Sequence, residues 1–423
     1  MVKRIFFLFL ILLSQSFGTN KNIIRDKIEE VLSKLPSTTN SAILIYNPLT
    51  KDTIFQLHHT LSVIPASNTK LFTTAIALSI LGGNYPLSTK ILTDDKNIKD
   101  GIINGNLYIK GYGNSTFTSE DLEKMVIELK RMGIRKILGN IIGDDSYFDE
   151  IYTRSDWITD DTQQLKLPPI SALVIDRNSR LEQRRIKYKR RGRIRYRVKE
   201  VYSQIKNPPL YIANLLRDKL AEEGIRVNKS AIKGITPSGC VVLAESKILL
   251  KDLVKRINKR SDNFLAECLF KTIGAAATGK QGNSFYSTQT ILKFLKDNGI
   301  YSEGTSIVDG SGLSRYDKVT VGAICGLLEK MYFDMKNFDD FYNSLSIAGI
   351  DGTLRHRMRG SSAENDFHGK TGTLNGVSSL SGYLKTASGD DLVISMIFDF
   401  SSGGTLLHRE VENEIIEILT KTE

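Results

Sequence analysis

At 423 residues, 41% of them hydrophobic and 25% charged, the chain is too long for one small domain and too apolar for a disordered one, so two or three folded lobes are expected. Its formal net charge of +11 is a local feature: ten lysines and arginines crowd residues 184–199, and without them the balance is 11 − 10 = +1. Three cysteines cannot all pair, and the five histidines lack metal-ligand spacing, so no metal, no cofactor and no essential disulfide is expected.

Residues 1–18 carry Lys3-Arg4, the apolar run IFFLFLILL and then SQSFG. That is the form of a secretory signal, too short to span a bilayer comfortably; an uncleaved anchor stays open because no clean A-x-A follows. IIRDKIEEVLSKL places Ile24, Ile28, Val31, Leu32 and Leu35 on one helical stripe that Pro36 ends. AILIYN and TIFQLH read as paired strands joined through Pro48–Asp52.

Pro65-Ala66-Ser67-Asn68-Thr69-Lys70 then enters a strongly apolar helix, LFTTAIALSILG, which Gly82-Gly83 closes. Ser67 and Lys70, three apart, share one face of a helix, a nucleophile beside a possible base. The same S-x-x-K spacing recurs at Ser203/Lys206 and Ser230/Lys233, where a solvated lysine is the ordinary explanation. Between the first motif and Ser261 lie about 190 residues, most of which must loop out as an insertion if the two are to meet. Within it GIINGNLYIKGYGN looks like a hairpin, DLEKMVIELKRMGI like an amphipathic helix, and ILGNIIGDDSYFD like a buried strand ending in Asp144 and Asp145, for which a solvated loop is the default reading. Residues 178–235 read as a second small unit containing the helical PPLYIANLLRDKLAEEGI.

That unit begins with RRIKYKRRGRIRYRVK, residues 184–199, in which Ile186, Tyr188, Ile194, Tyr196 and Val198 hold even positions and the basic residues mostly odd ones. Strand periodicity about a turn near Gly192 predicts a hairpin with one apolar and one basic face. Such a face either protects a solvated edge or docks on an anionic envelope polymer or membrane surface; nucleic acid is not expected for a secreted protein.

Ser261-Asp262-Asn263 opens a second apolar helix, FLAECLFKTIG, and Lys370-Thr371-Gly372-Thr373 opens a strand-like segment. S-x-x-K, S-D-N and K-T-G in that order are the trio of β-lactamases and penicillin-binding proteins. SLSGYLKT and LVISMIFDF follow as strands, and Leu407, Val411, Ile415 and Leu419 mark a closing helix, so the two chain ends should share a sheet.

With PASNTKLFTTA, ISALVIDRN, SDNFLAECL, VDGSGLSRYDKV, IAGIDGTLRHRM and KTGTLNGVSSLSGYL, residues 24–420 resemble the D-alanyl-D-alanine carboxypeptidase/endopeptidase family of penicillin-binding proteins, serine peptidase family S13. The resemblance implies an α/β (α+β) fold: a β-lactamase/transpeptidase-like domain, its antiparallel sheet flanked by helices, interrupted by a nested two-lobe insertion. The expected division is a signal over 1–18, the transpeptidase-like domain over 19–88 and 250–423, an inserted domain over 89–177 and 236–249, and a nested one over 178–235. Gly111-Tyr112-Gly113-Asn114 departs from the family's Gly-Asp-Pro type turn, away from the chemistry.

It further implies Ser67 as nucleophile attacking the penultimate D-alanine carbonyl, Lys70 as base with Lys370 as the cation that lowers its pKa, and Ser261 as proton relay. Asn263 would hold the substrate amide, Asp262 the turn, and Thr371, Gly372 and Thr373 the substrate carboxylate. Backbone N–H groups of Ser67 and Thr373 would form the oxyanion hole, and Asp144 would receive an amine from the third residue of a peptidoglycan peptide. Such an enzyme is inhibited by β-lactams and works in the periplasm or extracytoplasmic envelope. The rivals are a β-lactamase, against which the missing E-x-x-x-N pattern speaks, and a non-catalytic wall-binding protein, against which the intact motifs speak; no G-x-S-x-G elbow is present.

Overall fold

In the computed structural model, residues 21–157, 167–190 and 192–421 are described; the signal-like stretch 1–18 and Arg191 lie outside them. The chain builds a six-stranded antiparallel sheet in the order Ser346–Ile347, Phe367–Leu374, Val377–Lys385, Asp391–Asp399, Asn40–Tyr46, Thr53–Leu57. The two ends of the sequence thus share one sheet, with Ala42 opposite Ile397 and Ile45 opposite Ile394. Strand alternation splits the first strand between two cores. Ile43 and Ile45 meet Ile24, Ile28 and Val31 of the 21–32 helix and Val411, Ile415 and Leu419 of helix Gly404–Thr420, whereas Ala42 and Tyr46 face the opposite layer.

That opposite layer is centred on helix Thr69–Leu81, which is buried without interruption from Thr69 to Leu78. No polar stripe is left for solvent, so the helix runs through the molecule, packed against helices Leu250–Arg260, Asn263–Thr278 and Val321–Tyr332. Each side chain as fully buried as Leu71 or Phe72 contributes about 1.5–3 kcal/mol. Gly82, at φ 80, ends the helix. Cys268 and Cys325 lie in this core. Among the described residues no helix is long and apolar enough to cross a membrane.

Residues 86–249 form the insertion around a five-stranded mixed sheet ordered Ala231–Lys233, Ile141–Asp144, Leu107–Tyr112, Pro86–Thr93, Val241–Leu249. Its entering and leaving strands pair antiparallel, Pro86 opposite Leu249, so the excursion starts and finishes at one place. GIINGNLYIKGYGN is not a hairpin: Ile102–Ile103 pairs in parallel with Lys136–Ile137 in a separate three-stranded sheet, while Leu107–Tyr112 joins the five-stranded one. Nor does most of 178–235 have a core of its own. Ile212, Leu216 and Leu220 of helix Pro208–Glu222 pack with Leu107, Ile109 and Leu129, and Ala231–Lys233 extends the same sheet. Among the described residues of 178–235, strands Ser179–Arg190 and Arg193–Gln204 pair with each other alone, in a two-stranded sheet.

The register of that hairpin overturns the expectation of one apolar and one basic face. Pairs such as Ile186 with Arg197, Tyr188 with Arg195 and Lys187 with Tyr196 put even residues of one strand opposite odd residues of the other. Paired residues share a face, so each face mixes cations with apolar side chains. Alternation within each strand is present, but the register, with Arg190 opposite Arg193, sets it out of phase across the pair.

Candidate active site

Ser67 sits in a three-residue 3-10 turn, Ala66–Asn68, just ahead of the buried helix rather than within it. Ala66 before it has φ 49, a left-handed conformation costly for a residue with a Cβ. The turn is pressed from two sides where only glycine fits. A Cβ on Gly312 would lie 1.8 Å from the Ala66 carbonyl oxygen, and one on Gly372 would lie 2.8 Å from that of Pro65 and 3.0 Å from Ser67 N. Asn68 donates to the Ser381 hydroxyl at 2.9 Å, and the Ser379 hydroxyl donates to the Pro65 carbonyl at 2.9 Å, fastening the turn to the central sheet.

One turn on, Lys70 is fully buried and its Nζ donates to Ser67 Oγ at 2.9 Å, to Asn263 Oδ1 at 2.6 Å and to the Ser311 carbonyl. Burial drives its pKa down to about 8, opposed by the carboxylates of Asp309, Glu267, Asp262 and Asp317. Burial, one of the two causes expected from the sequence, thus leads; Lys370, the expected neighbouring cation, is itself held well below the usual lysine range, by burial first and then by the charge of Lys70, a repulsion the two amines share.

Ser261, Asp262 and Asn263 join two helices. Ser261 closes Leu250–Arg260 in the left-handed region (φ 53), and Asp262 caps the next helix by accepting from Leu265 N at 3.0 Å. Asn263 is thereby the first residue of its helix, aimed at Lys70. Lys370 Nζ donates to Ser261 Oγ at 2.9 Å and to the Thr371 carbonyl at 2.7 Å. Ser67, Lys70, Ser261, Asn263 and Lys370 therefore form one connected constellation drawn from three distant segments. On the same strand Thr371 donates to the Thr353 hydroxyl at 2.8 Å, and Thr373, exposed, accepts from Arg409 Nη2 at 2.8 Å.

The loop of VDGSGLSRYDKV is held by buried carboxylates. Asp309 accepts from the N–H groups of Ser311, Gly312 and Ser314; Asp317 accepts from Val308 N and the Thr69 hydroxyl; Glu267 accepts from Gly310 N at 3.0 Å. Burial and then Asp309 push the Glu267 carboxyl up to about 8. The loop so fixed presents the Ser311 carbonyl to Lys70, a contribution of the backbone to the site.

Two other groups were missed. Arg409 belongs to the closing helix, whose apolar periodicity hid it. Arg177 clamps Asp262 through two bonds, 2.7 and 3.0 Å, and lies 5.0 Å over the Phe264 ring; it occupies a left-handed run, Asp176 to Asn178, with φ of 45, 58 and 49. The only signal available was its place in ISALVIDRN.

Asp144 is placed differently from the expectation of a receptor for a substrate amine. It has no exposed surface, accepts from Ser146 N at 2.9 Å and Thr236 N at 2.6 Å, and pairs with Lys110 at 3.0 Å. Burial pulls its pKa up, but the bonds from Ser146 and Thr236 outweigh it and hold the carboxylate below its usual range. A cation of the protein already occupies the role foreseen for the substrate.

A serine beside a depressed lysine, a second serine–lysine pair and an asparagine, set between an antiparallel sheet and a helical layer, make up the side-chain trio shared by β-lactamases and penicillin-binding proteins. The chain belongs to the D-Ala-D-Ala carboxypeptidase 3 (S13) family, whose pattern it matches over residues 24–192 and 183–422. It is 27% identical to the D-alanyl-D-alanine carboxypeptidase of Actinomadura sp. (strain R39), over 92% of this chain and 84% of that one. It is 26% identical to D-alanyl-D-alanine carboxypeptidase DacB of Haemophilus influenzae, over 93% and 92%. Among solved structures it resembles penicillin binding protein 4 (dacB) from H. influenzae, with TM-score 0.79, 23% identity and coverage of 92% of this chain and 99% of that one. The same protein has been solved in complex with a β-lactam, and this chain matches that complex with TM-score 0.77.

Proposed function

We propose that this protein is a serine D-Ala-D-Ala carboxypeptidase that cleaves peptidoglycan peptides through an acyl-enzyme on Ser67 and is inhibited by β-lactams. The observation that carries the reading is the fully buried Lys70, whose Nζ lies 2.9 Å from Oγ of the half-buried Ser67. Family membership and the β-lactam complex of the H. influenzae protein support it.

As an ammonium, Lys70 has three acceptors for three protons. As a neutral amine it keeps Asn263 and the Ser311 carbonyl and turns its lone pair to the Ser67 hydroxyl, taking the proton as Oγ attacks the carbonyl of the penultimate D-alanine. The oxyanion develops between the N–H groups of Ser67, at the head of the helix, and Thr373 on the strand. Ser261, held by Lys370, passes a proton to the leaving D-alanine nitrogen, and Asn263 receives the substrate amide. Thr371 and Thr373, with Lys370 and the guanidinium of Arg409, suit the terminal carboxylate; Gly372 leaves the space in which that strand approaches Ser67.

The site of action is the extracytoplasmic envelope, with residues 1–18 as the secretory signal, and the basic hairpin is where an anionic envelope polymer would bind. Mixing the protein with labelled penicillin and, separately, with an acyl-D-Ala-D-Ala peptide tests the reading. A long-lived adduct on Ser67 and release of D-alanine are expected, both abolished by Ser67→Ala. Rapid turnover of the adduct would favour a β-lactamase, and no adduct would favour a non-catalytic wall-binding protein.

A further inference from the structure

The hairpin Ser179–Arg190/Arg193–Gln204 has the longest strands of the six-, five- and two-stranded sheets, each of 12 residues, and by strand rise reaches about 40 Å. Its register sorts the side chains. One face carries Arg184, Arg193, Arg195, Arg197 and Lys199 with Ile186 and Tyr188; the other carries Arg185, Lys187 and Lys189 with Ile194, Tyr196 and Val198. On both faces a guanidinium lies over a tyrosine ring, Arg197 over Tyr188 at 5.7 Å and Arg185 over Tyr196 at 4.4 Å. Among the described residues the ion pairs of this hairpin are those of Glu182 with Arg180 and Arg184, while Arg193, Arg195, Arg197 and Lys199 have no carboxylate partner.

This is not the build of a membrane-inserting hairpin, which needs one face free of charge to enter the acyl region. Pressing either face into a bilayer would carry at least three cations with it, and a planar surface would leave the other face's cations unmatched. A flexible chain can reach both faces. Seven of the ten basic residues in 184–199 are arginine, whose planar fork matches phosphate oxygens two at a time. Tyrosines pinned beneath guanidiniums hold those forks in place before anything binds.

We infer that the hairpin is a two-faced docking ribbon for a linear phosphate-bearing polymer of the cell envelope, which keeps the enzyme on the wall while the cleft works. The choice of an envelope polymer over nucleic acid rests on the extracytoplasmic reading above; the charge pattern itself does not. The ribbon lies in the insertion and the reacting groups lie against the central sheet, so docking and hydrolysis are separable.

A synthetic glycerol-phosphate oligomer tests this, with phosphatidylcholine/phosphatidylglycerol vesicles and single-stranded DNA as competing probes and hydrolysis of a small acyl-D-Ala-D-Ala peptide followed in parallel. The oligomer should bind, and its affinity should fall at least about tenfold as ionic strength rises from about 0.05 to about 0.2 M. Replacing Arg193, Arg195 and Arg197 by Gln, and separately Arg185, Lys187 and Lys189 by Gln, should each weaken binding at least about tenfold, because both faces take part. Hydrolysis should be unchanged in both variants, and a loss of hydrolysis in the unmutated protein would count against the enzyme reading alone. The proposal is overturned if the oligomer does not bind, if vesicles or DNA bind while the oligomer does not, or if neutralising Arg185, Lys187 and Lys189 leaves its affinity intact.

Discussion

Lys70 must lose a proton before it can take one from Ser67, and its depressed pKa sets where that happens. The neutral fraction falls tenfold per pH unit below about 8, so acylation by penicillin should rise steeply with pH up to about 8 and level off above it. A rate flat across that range in rapid-mixing experiments would assign the base to another group. Asp144 leads to an expectation of a different kind. Removing it strands Lys110, only 15% exposed, without its anion, so Asp144→Ala should cost about 3–5 kcal/mol in denaturant unfolding. It should also lower kcat/KM equally for peptides with and without an amine at the third position; a selective loss on the amine-bearing peptide would restore the substrate-pocket role. Ser67, Lys70, Ser261, Asn263 and Lys370 were legible because each motif is contiguous and its chemistry is carried by side chains. The Ser311 carbonyl was not, since a backbone acceptor leaves no letter in the sequence. The pairing of Asp144 was not legible either, because Lys110 lies 34 positions away on a neighbouring strand, with only spatial proximity to connect them.

Strand Phe367–Leu374 and the turn Ala66–Asn68 touch where Gly372 has no side chain. A Cβ there would also sit 2.2 Å from Ser379 Oγ, so Gly372→Ala must push the strand away from Ser67 or turn the Ser379 hydroxyl off the Pro65 carbonyl. Misplacement by about 1 Å is worth roughly a hundredfold in rate, so acylation should fall by about that factor with little change in melting temperature. Unaltered acylation would mean that the strand does not position the reaction. Elements with a clear period and a clear stop, such as helix Thr69–Leu81 with Gly82 or the paired strands Asn40–Tyr46 and Thr53–Leu57, could be read directly. The basic hairpin and GIINGNLYIKGYGN could not, for a common reason. Periodicity states which residues of a strand share a side, but the partner and the parity of the register depend on turn length and on segments far away.

The chain enters and leaves the insertion at one place, where Pro86 faces Leu249 and Leu250 N bonds the Tyr85 carbonyl at 2.9 Å, although the insertion also packs on the helical layer through Phe148, Ile170 and Val174 and through the Arg177–Asp262 and Lys271–Asp149 pairs. The insertion encloses a separate cluster of buried side chains, including Ile91, Ile109, Phe117, Leu129 and Leu216. A fragment of residues 86–249 should accordingly fold alone and unfold cooperatively by circular dichroism, and a featureless melt would show that it needs the rest of the molecule. The central sheet has the opposite character. Its strand Asn40–Tyr46 lies between Thr53–Leu57 and Asp391–Asp399, so an early segment waits for a late one. During synthesis the Ser67 turn cannot be seated against the sheet until nearly 400 residues have emerged, because Ser379 and Ser381, which fasten it, lie on a late strand that pairs with a still later one. A chain cut before strand Asp391–Asp399 would carry every motif, Ser67 included, yet lack the strand that joins Val377–Lys385 to Asn40–Tyr46, and should form no adduct with labelled penicillin.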